Sequence, residues 1–195
     1  MANFSQDKVV QSLITGNKTF KTSYGEGTKS QDFLKGQSPA VALVTCSDAR
    51  VVPEAIFNLK IGEIFCIEIA GNVFSTEVCA SVEYAVASLG VSHVVVMGHQ
   101  CCGAVGAALE GNIDKHSSSI QTLLKRIQPT IAKVKLENKN MHSHDLVEVS
   151  IKENAKTTLS LLKENSPILK QSHANGSCAF LAAYYSLETG EVEFL

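Results

Sequence analysis

Two short stretches carry side chains that soft metals bind. Residues 40–50 read Ala-Val-Ala-Leu-Val-Thr-Cys-Ser-Asp-Ala-Arg, an apolar run that stops at Cys46 and is followed by Asp48 and Arg50. A second run, Val94-Val95-Val96-Met97-Gly98, stops in the same way at His99-Gln100-Cys101-Cys102-Gly103. Zinc favours thiolate and imidazole in a tetrahedron, and its catalytic sites take three protein ligands and leave the fourth corner to water. Cys46, His99 and Cys102 offer that set, because His-x-x-Cys spans one tight turn and the opposing ligand comes from the other run. Taken singly, a cysteine or a histidine is most often an ordinary buried residue. Two runs ending in such residues point instead to one shared site. Asp48 and Arg50 lie on the same side of the extended stretch after Cys46. A carboxylate beside a metal accepts the proton of a bound hydroxide and orients it. A guanidinium paired with that carboxylate keeps it ionised and off the metal.

The elements needed to hold these residues can be read from the pattern. Residues 40–45 are too few for a core helix and read as a buried strand. Cys46 then sits at a strand's C-terminal end, where open α/β sheets bind their ligands. Residues 64–69 and 93–97 read as two more strands, and 178–187 as a fourth that turns at Thr189-Gly190 into Val192-Glu193-Phe194. Between them, residues 76–89 carry Val78, Val82, Ala85, Val86 and Leu89 on one helical face, with Gly90 as a stop. A small-residue helix follows Cys102 over 103–109, a stripe from Ile120 to Val134 marks another, and 146–164 a further one, with a polar loop over 137–145. Strands alternating with helices imply a parallel sheet with right-handed crossovers. The expected class is α/β, with about four parallel strands and an antiparallel edge strand flanked by helices. Upstream, residues 7–20 suit an amphipathic helix capped by Asp7 and stopping at Gly16-Asn17. The glycine-rich connection over 21–39 either contains a short helix near 30–34 or wraps over another surface.

Composition narrows the class. The 195 residues make one domain, 1–195, and 45% hydrophobic with 18% charged residues is globular composition. A net charge of −2 gives no basic footprint for nucleic acid or an anionic membrane. No apolar stretch nears the roughly 20 residues of a membrane span, and residues 1–7 lack the features of a secretory signal, as a mature exported chain also would once its signal was cut off. Six cysteines, with Cys66, Cys79 and Cys178 inside apolar runs, do not form a disulfide scaffold. That usage suits the reducing cytoplasm. Cys101 is expected to be a buried bystander, His93 a structural residue at a strand start, and His116, His142, His144 and His173 loop residues.

The two-part ligand pattern, Cys46-Ser-Asp48-Ala-Arg50 with His99-Gln-Cys-Cys102-Gly103, resembles the β-class carbonic anhydrases. The likeness covers nearly the whole chain. Residues 13–20, Ala70-Gly71-Asn72, Ser81-Val-Glu83-Tyr84-Ala85, residues 91–99, Glu153-Asn154, Ser166-Pro167-Ile168 and residues 187–192 are similar to other motifs of that family. The resemblance implies reversible hydration of carbon dioxide to bicarbonate on one zinc per chain. Such a zinc lowers the pKa of bound water to about 7. It also implies that Asp48 orients the hydroxide and Arg50 holds Asp48. Gln37, Phe65, Tyr84 and Gly103 would form the substrate pocket, which in the family is completed across a dimer interface. Glu68-Ile69 stands where many members have Arg-Asn, and the chain has no tryptophan. The subgroup of the family with a non-catalytic bicarbonate site uses a tryptophan, so no inhibitory site of that build is expected.

Three other functions fit the same residues. They are a carbon disulfide or carbonyl sulfide hydrolase of this fold, a non-catalytic zinc protein, and a transferase using Cys46 as nucleophile. The amphipathic first helix and its long connection, about residues 1–36 in extent, have little to bury against within so compact a domain. They are expected to wrap a partner subunit in a homo-oligomer, a dimer or a dimer of dimers.

Overall fold

Among the described residues five strands form one sheet in the order β2-β1-β3-β4-β5. They are β1 (Val41–Thr45), β2 (Ile64–Glu68), β3 (His93–His99), β4 (Ala179–Tyr185) and β5 (Val192–Phe194). The first four run parallel and β5 pairs antiparallel with β4. The chain is described here from a computed structural model covering residues 7–24 and 33–195. It falls into two compact units, Met1–Gln37 and Ser38–Leu195.

The larger unit holds the sheet. Alternate residues of a strand face opposite ways, and the core divides accordingly. Ala42, Val44, Val94, Val96, Phe180 and Ala182 point to one face. There they meet α3 (Thr76–Ala87), α6 (Ser143–Asn165) and α7 (Pro167–Ala174). Leu43, Val95, Met97 and Ala183 point to the other face, near α2 (Pro53–Ile56). A third cluster caps the C-terminal strand ends, where α4 (Gly103–Glu110) and α5 (Ser118–Glu137) bring Val105, Ala108, Leu124, Ile127 and Ile131 against Cys46 and Cys102. Gly98 lets α6 come close to β3. A β-carbon there would lie 2.7 Å from Ile151 Cγ2 and 3.1 Å from the Ile151 carbonyl oxygen.

Several boundaries differ from the sequence reading. In the smaller unit, α1 (Lys8–Ser23) is capped by Asp7, whose side chain accepts from the Val9 and Val10 amides. It continues through Gly16-Asn17, because a glycine ends a helix only where it turns left-handed, and Gly16 keeps a negative φ. The short helix considered near residues 30–34 lies largely outside the described residues. Helix α7 was not foreseen: Pro167 reads as a stop, yet it occupies the first helical turn behind Ser166, whose hydroxyl caps the Leu169 amide. His173 therefore lies in a helix and not in a loop, edge-on to Phe180 with ring centres 5.4 Å apart. Likewise α6 begins at Ser143, with His142 at its N-cap and His144 in its first turn. His93 opens β3, exposed, with Nδ1 2.8 Å from the Ser92 hydroxyl.

Candidate metal centre

Cys46 follows the last residue of β1, His99 ends β3, and Cys102 caps α4. Thr45 pairs with Met97, so the two strands finish side by side. The ligand atoms of the three residues lie within 4.8 Å of one another, and all three residues are buried. The His99 ring is oriented by its Nδ1–H, which donates to the Gln100 carbonyl at 2.9 Å. Nε2 is then left facing the cluster, buried and with no hydrogen-bond partner among the described residues. A buried imidazole nitrogen without a partner, beside two sulfurs, is the donor set that a zinc ion completes. The cluster could hold a metal ion.

The electrostatics prepare Cys46 for ligation and raise the other two donors. The adjacent Cys102 thiol, the His99 ring and the Gly71 amide together hold Cys46 below its ordinary value, as a thiolate, although burial opposes this. Cys102 is pushed up, first by its contact with Cys46 and then by burial. Burial works against a charged His99 ring, but Cys46, the Gln100 carbonyl and Asp48 together more than offset it and leave His99 raised. A cation entering the cluster would release these protons and take up the negative charge.

Asp48 and Arg50 stand at the edge of the cluster. Asp48 Oδ1 accepts from the Arg50 backbone amide at 3.0 Å and from Nε at 2.9 Å, while Oδ2 accepts from Nη2 at 2.8 Å. Asp48 Oδ2 lies 3.8 Å from His99 Nε2, so the carboxylate borders the ligand set. The Arg50 guanidinium holds the Asp48 carboxyl well below the usual carboxylate range.

Two residues that support Cys46 were given no role by sequence. The Gly71 amide donates to Cys46 Sγ at 3.3 Å, and Asn154, buried on α6, donates its side-chain amide to the Gly71 carbonyl at 2.8 Å. Gly71 has φ +69°, and a β-carbon there would lie 2.9 Å from Ile127 Cδ1. The motif Ala70-Gly71-Asn72 was visible in the sequence, but a backbone donor has no side chain to signal it. Asn154 could not be found locally, since its partner is distant in the chain.

The other expected site residues are placed as follows. Gly103 is the first residue of α4, with nothing within 4 Å of the position a β-carbon would take. Phe65 and Tyr84 are brought to each other, ring centres 6.2 Å apart. Phe65 packs against the core cluster that contains Ala42, Val44 and Val82, whereas Cys46 and Cys102 belong to the cluster at the strand ends. Tyr84 is half exposed, and Gln37 ends the smaller unit, exposed. Cys101 is exposed and not buried as expected, because it occupies a turn at φ +55° outside both strand and helix.

A parallel sheet whose strand ends gather two cysteines and a histidine beside an Asp–Arg pair defines a class, the β-type carbonic anhydrases. The profile of the carbonic anhydrase family matches residues 41–192, and the chain belongs to that family, a family of enzymes. The carbonic anhydrase of Synechococcus elongatus is 34% identical over 192 residues, covering 94% of this chain and 70% of the relative. Carbonic anhydrase 2 of Mycobacterium tuberculosis is 31% identical over 157 residues, covering 80% of this chain and 73% of the relative. Among solved structures, the β-carbonic anhydrase CcaA superposes with a TM-score of 0.89 at 27% identity, covering 95% of this chain and 94% of that one. Among the described residues no helix is long and apolar enough to cross a membrane.

Proposed function

We propose that this chain catalyses the reversible hydration of carbon dioxide to bicarbonate and a proton, using one zinc held by Cys46, His99 and Cys102. The observation that carries the reading is the convergence of three buried donors, one an unpartnered imidazole nitrogen, beside a carboxylate fixed by Arg50. When bound, zinc supplies the Lewis acidity that makes hydroxide available as a nucleophile near neutral pH. Asp48 Oδ2, at the rim of the ligand set, accepts the hydrogen bond of the attacking solvent oxygen and points its lone pair at the carbon. Arg50 keeps that carboxylate charged and turned from the ligands. The Gly71 amide steadies the Cys46 thiolate. The reaction adds water across one C=O bond of carbon dioxide, and the released proton leaves to solvent.

Gln37, Phe65, Tyr84 and Gly103 complete the substrate pocket in this reading. Gln37 donates to a substrate oxygen, the two rings form an apolar wall, and Gly103 leaves room at the start of α4. The pocket is shared between subunits, and the arm over about residues 1–36 wraps the partner. Two observations support an oligomer. Helix α1 exposes Val9, Leu13 and Phe20, and the sheet face opposite α3 carries an apolar groove lined by Leu43, Phe57, Ile64, Val95 and Phe194. The six free thiols suit a reducing compartment, the cytoplasm.

Metal analysis with stopped-flow hydration tests the reading. Purified protein should carry one zinc per chain and hydrate carbon dioxide, with carbon disulfide a poor substrate, and Cys102→Ser should lose both metal and activity. A protein that turns over without zinc would overturn the reading.

A further inference from the structure

The two ligands His99 and Cys102 reach one cluster only because the turn between them is tight, and that turn contains a strained residue. Cys101 has φ +55°, in the left-handed region that a residue with a β-carbon disfavours. Something must hold it there. Gln100, its neighbour, is fixed by the end of the adjacent strand β4 and the turn after it: its amide donates to the Tyr185 carbonyl at 2.8 Å, and its Oε1 accepts from the Glu188 amide at 3.0 Å and the Ser186 hydroxyl at 3.3 Å. Cys101 itself is held from the opposite side. Its amide donates to Glu148 Oε1 at 3.1 Å, across from α6.

Glu148 is in turn fixed. Its second carboxylate oxygen accepts from the Tyr184 hydroxyl of β4. Lys152, one helical turn further along α6, lies over the Tyr184 ring at 4.7 Å and pairs with Glu193 at 2.5 Å. The ring that donates to the carboxylate is therefore itself braced. Charged acceptors bind backbone amides more strongly than neutral ones do.

We propose that Glu148 is a positioning residue for the metal centre: its carboxylate clamps the Cys101 amide, keeping the His99–Cys102 turn in the shape that directs both ligands at one ion. Tyr184 orients the clamp. Without it, Cys101 relaxes towards ordinary backbone angles and the donors that now lie within 4.8 Å of one another separate. Outer partners of metal ligands are typically worth about tenfold to a hundredfold in metal affinity, and Glu148 belongs among them. The proposal rests on the zinc reading of the site.

The test is the zinc dissociation constant of the full chain, measured by competition with a chromophoric chelator. Glu148→Ala should raise it about tenfold to a hundredfold. Adding Cys101→Gly to that variant should recover most of the loss, since glycine adopts positive φ without a steric penalty. A merely structural role for Glu148 would not be rescued by a glycine in the turn. Should Glu148→Ala fail to fold, Glu148→Gln carries the test: it keeps an oxygen for Cys101 but loses the charge, and a rise of about threefold to tenfold is expected. A constant within twofold of the parent, as would follow if water replaced the carboxylate, overturns the clamp. A parent chain that binds no zinc overturns the zinc reading instead.

Discussion

Asp48 can serve the chemistry only while it is charged and turned away from the ligands, and Arg50 secures both through two side-chain hydrogen bonds. Asp48→Ala should keep its zinc and lose about 10²–10⁴-fold in kcat for carbon dioxide hydration, the range for a lost proton-handling group. Stopped-flow rates beside metal analysis check this. Arg50→Gln bears on pH. The folded-state value of Asp48 is depressed by Arg50, so the carboxylate stays ionised well into acid. Removing Arg50 lets that value rise, and the acid limb of kcat against pH should move upward. An unmoved limb would show that Arg50 does not hold the charge on Asp48. At this scale the sequence was most informative where chemistry resides in side chains, as for Cys46, His99, Cys102 and the Asp–Arg pair. Gly71 and Asn154 escaped it, because one acts through its backbone and the other through a contact made only by folding.

Elements place these residues through close approach more than through propensity. Gly98 is the clearest case, since the side chain and carbonyl of Ile151 on α6 leave no room for a β-carbon. Gly98→Ala should therefore cost about 1–3 kcal/mol of stability, as overpacking usually does, and should also weaken zinc binding by displacing His99. Urea unfolding and the chelator assay read the two effects. Asn154→Ala should cost about 1–3 kcal/mol by leaving the buried Gly71 carbonyl unpaired. The strands were legible as short apolar runs, and the helices α3 and α5 because their apolar residues recur at a period of about 3.6. Helix α7 was not, since Pro167 looks the same whether it ends one helix or begins the next. The stop assigned at Gly16 failed for a related reason: glycine permits a left-handed turn without requiring one.

For the whole molecule, the question is what covers the apolar surface left by one chain. Leu13 is 69% exposed on α1 and Phe194 57% exposed on β5, apolar surface that the proposed oligomer would cover. Leu13→Glu with Phe20→Glu should raise the subunit dissociation constant at least tenfold, about 1.4 kcal/mol. Sedimentation over a dilution series measures it, and hydration activity should fall with the assembly if the pocket is shared. The central claim concerns the metal itself, and zinc K-edge X-ray absorption of the purified protein near pH 8 tests it most directly. Two sulfur neighbours at about 2.3 Å, one imidazole nitrogen and one light atom at about 2.0–2.1 Å, the latter displaced by a competing anion, are predicted. A first shell closed by protein ligands alone, with no exchangeable position, would contradict the account.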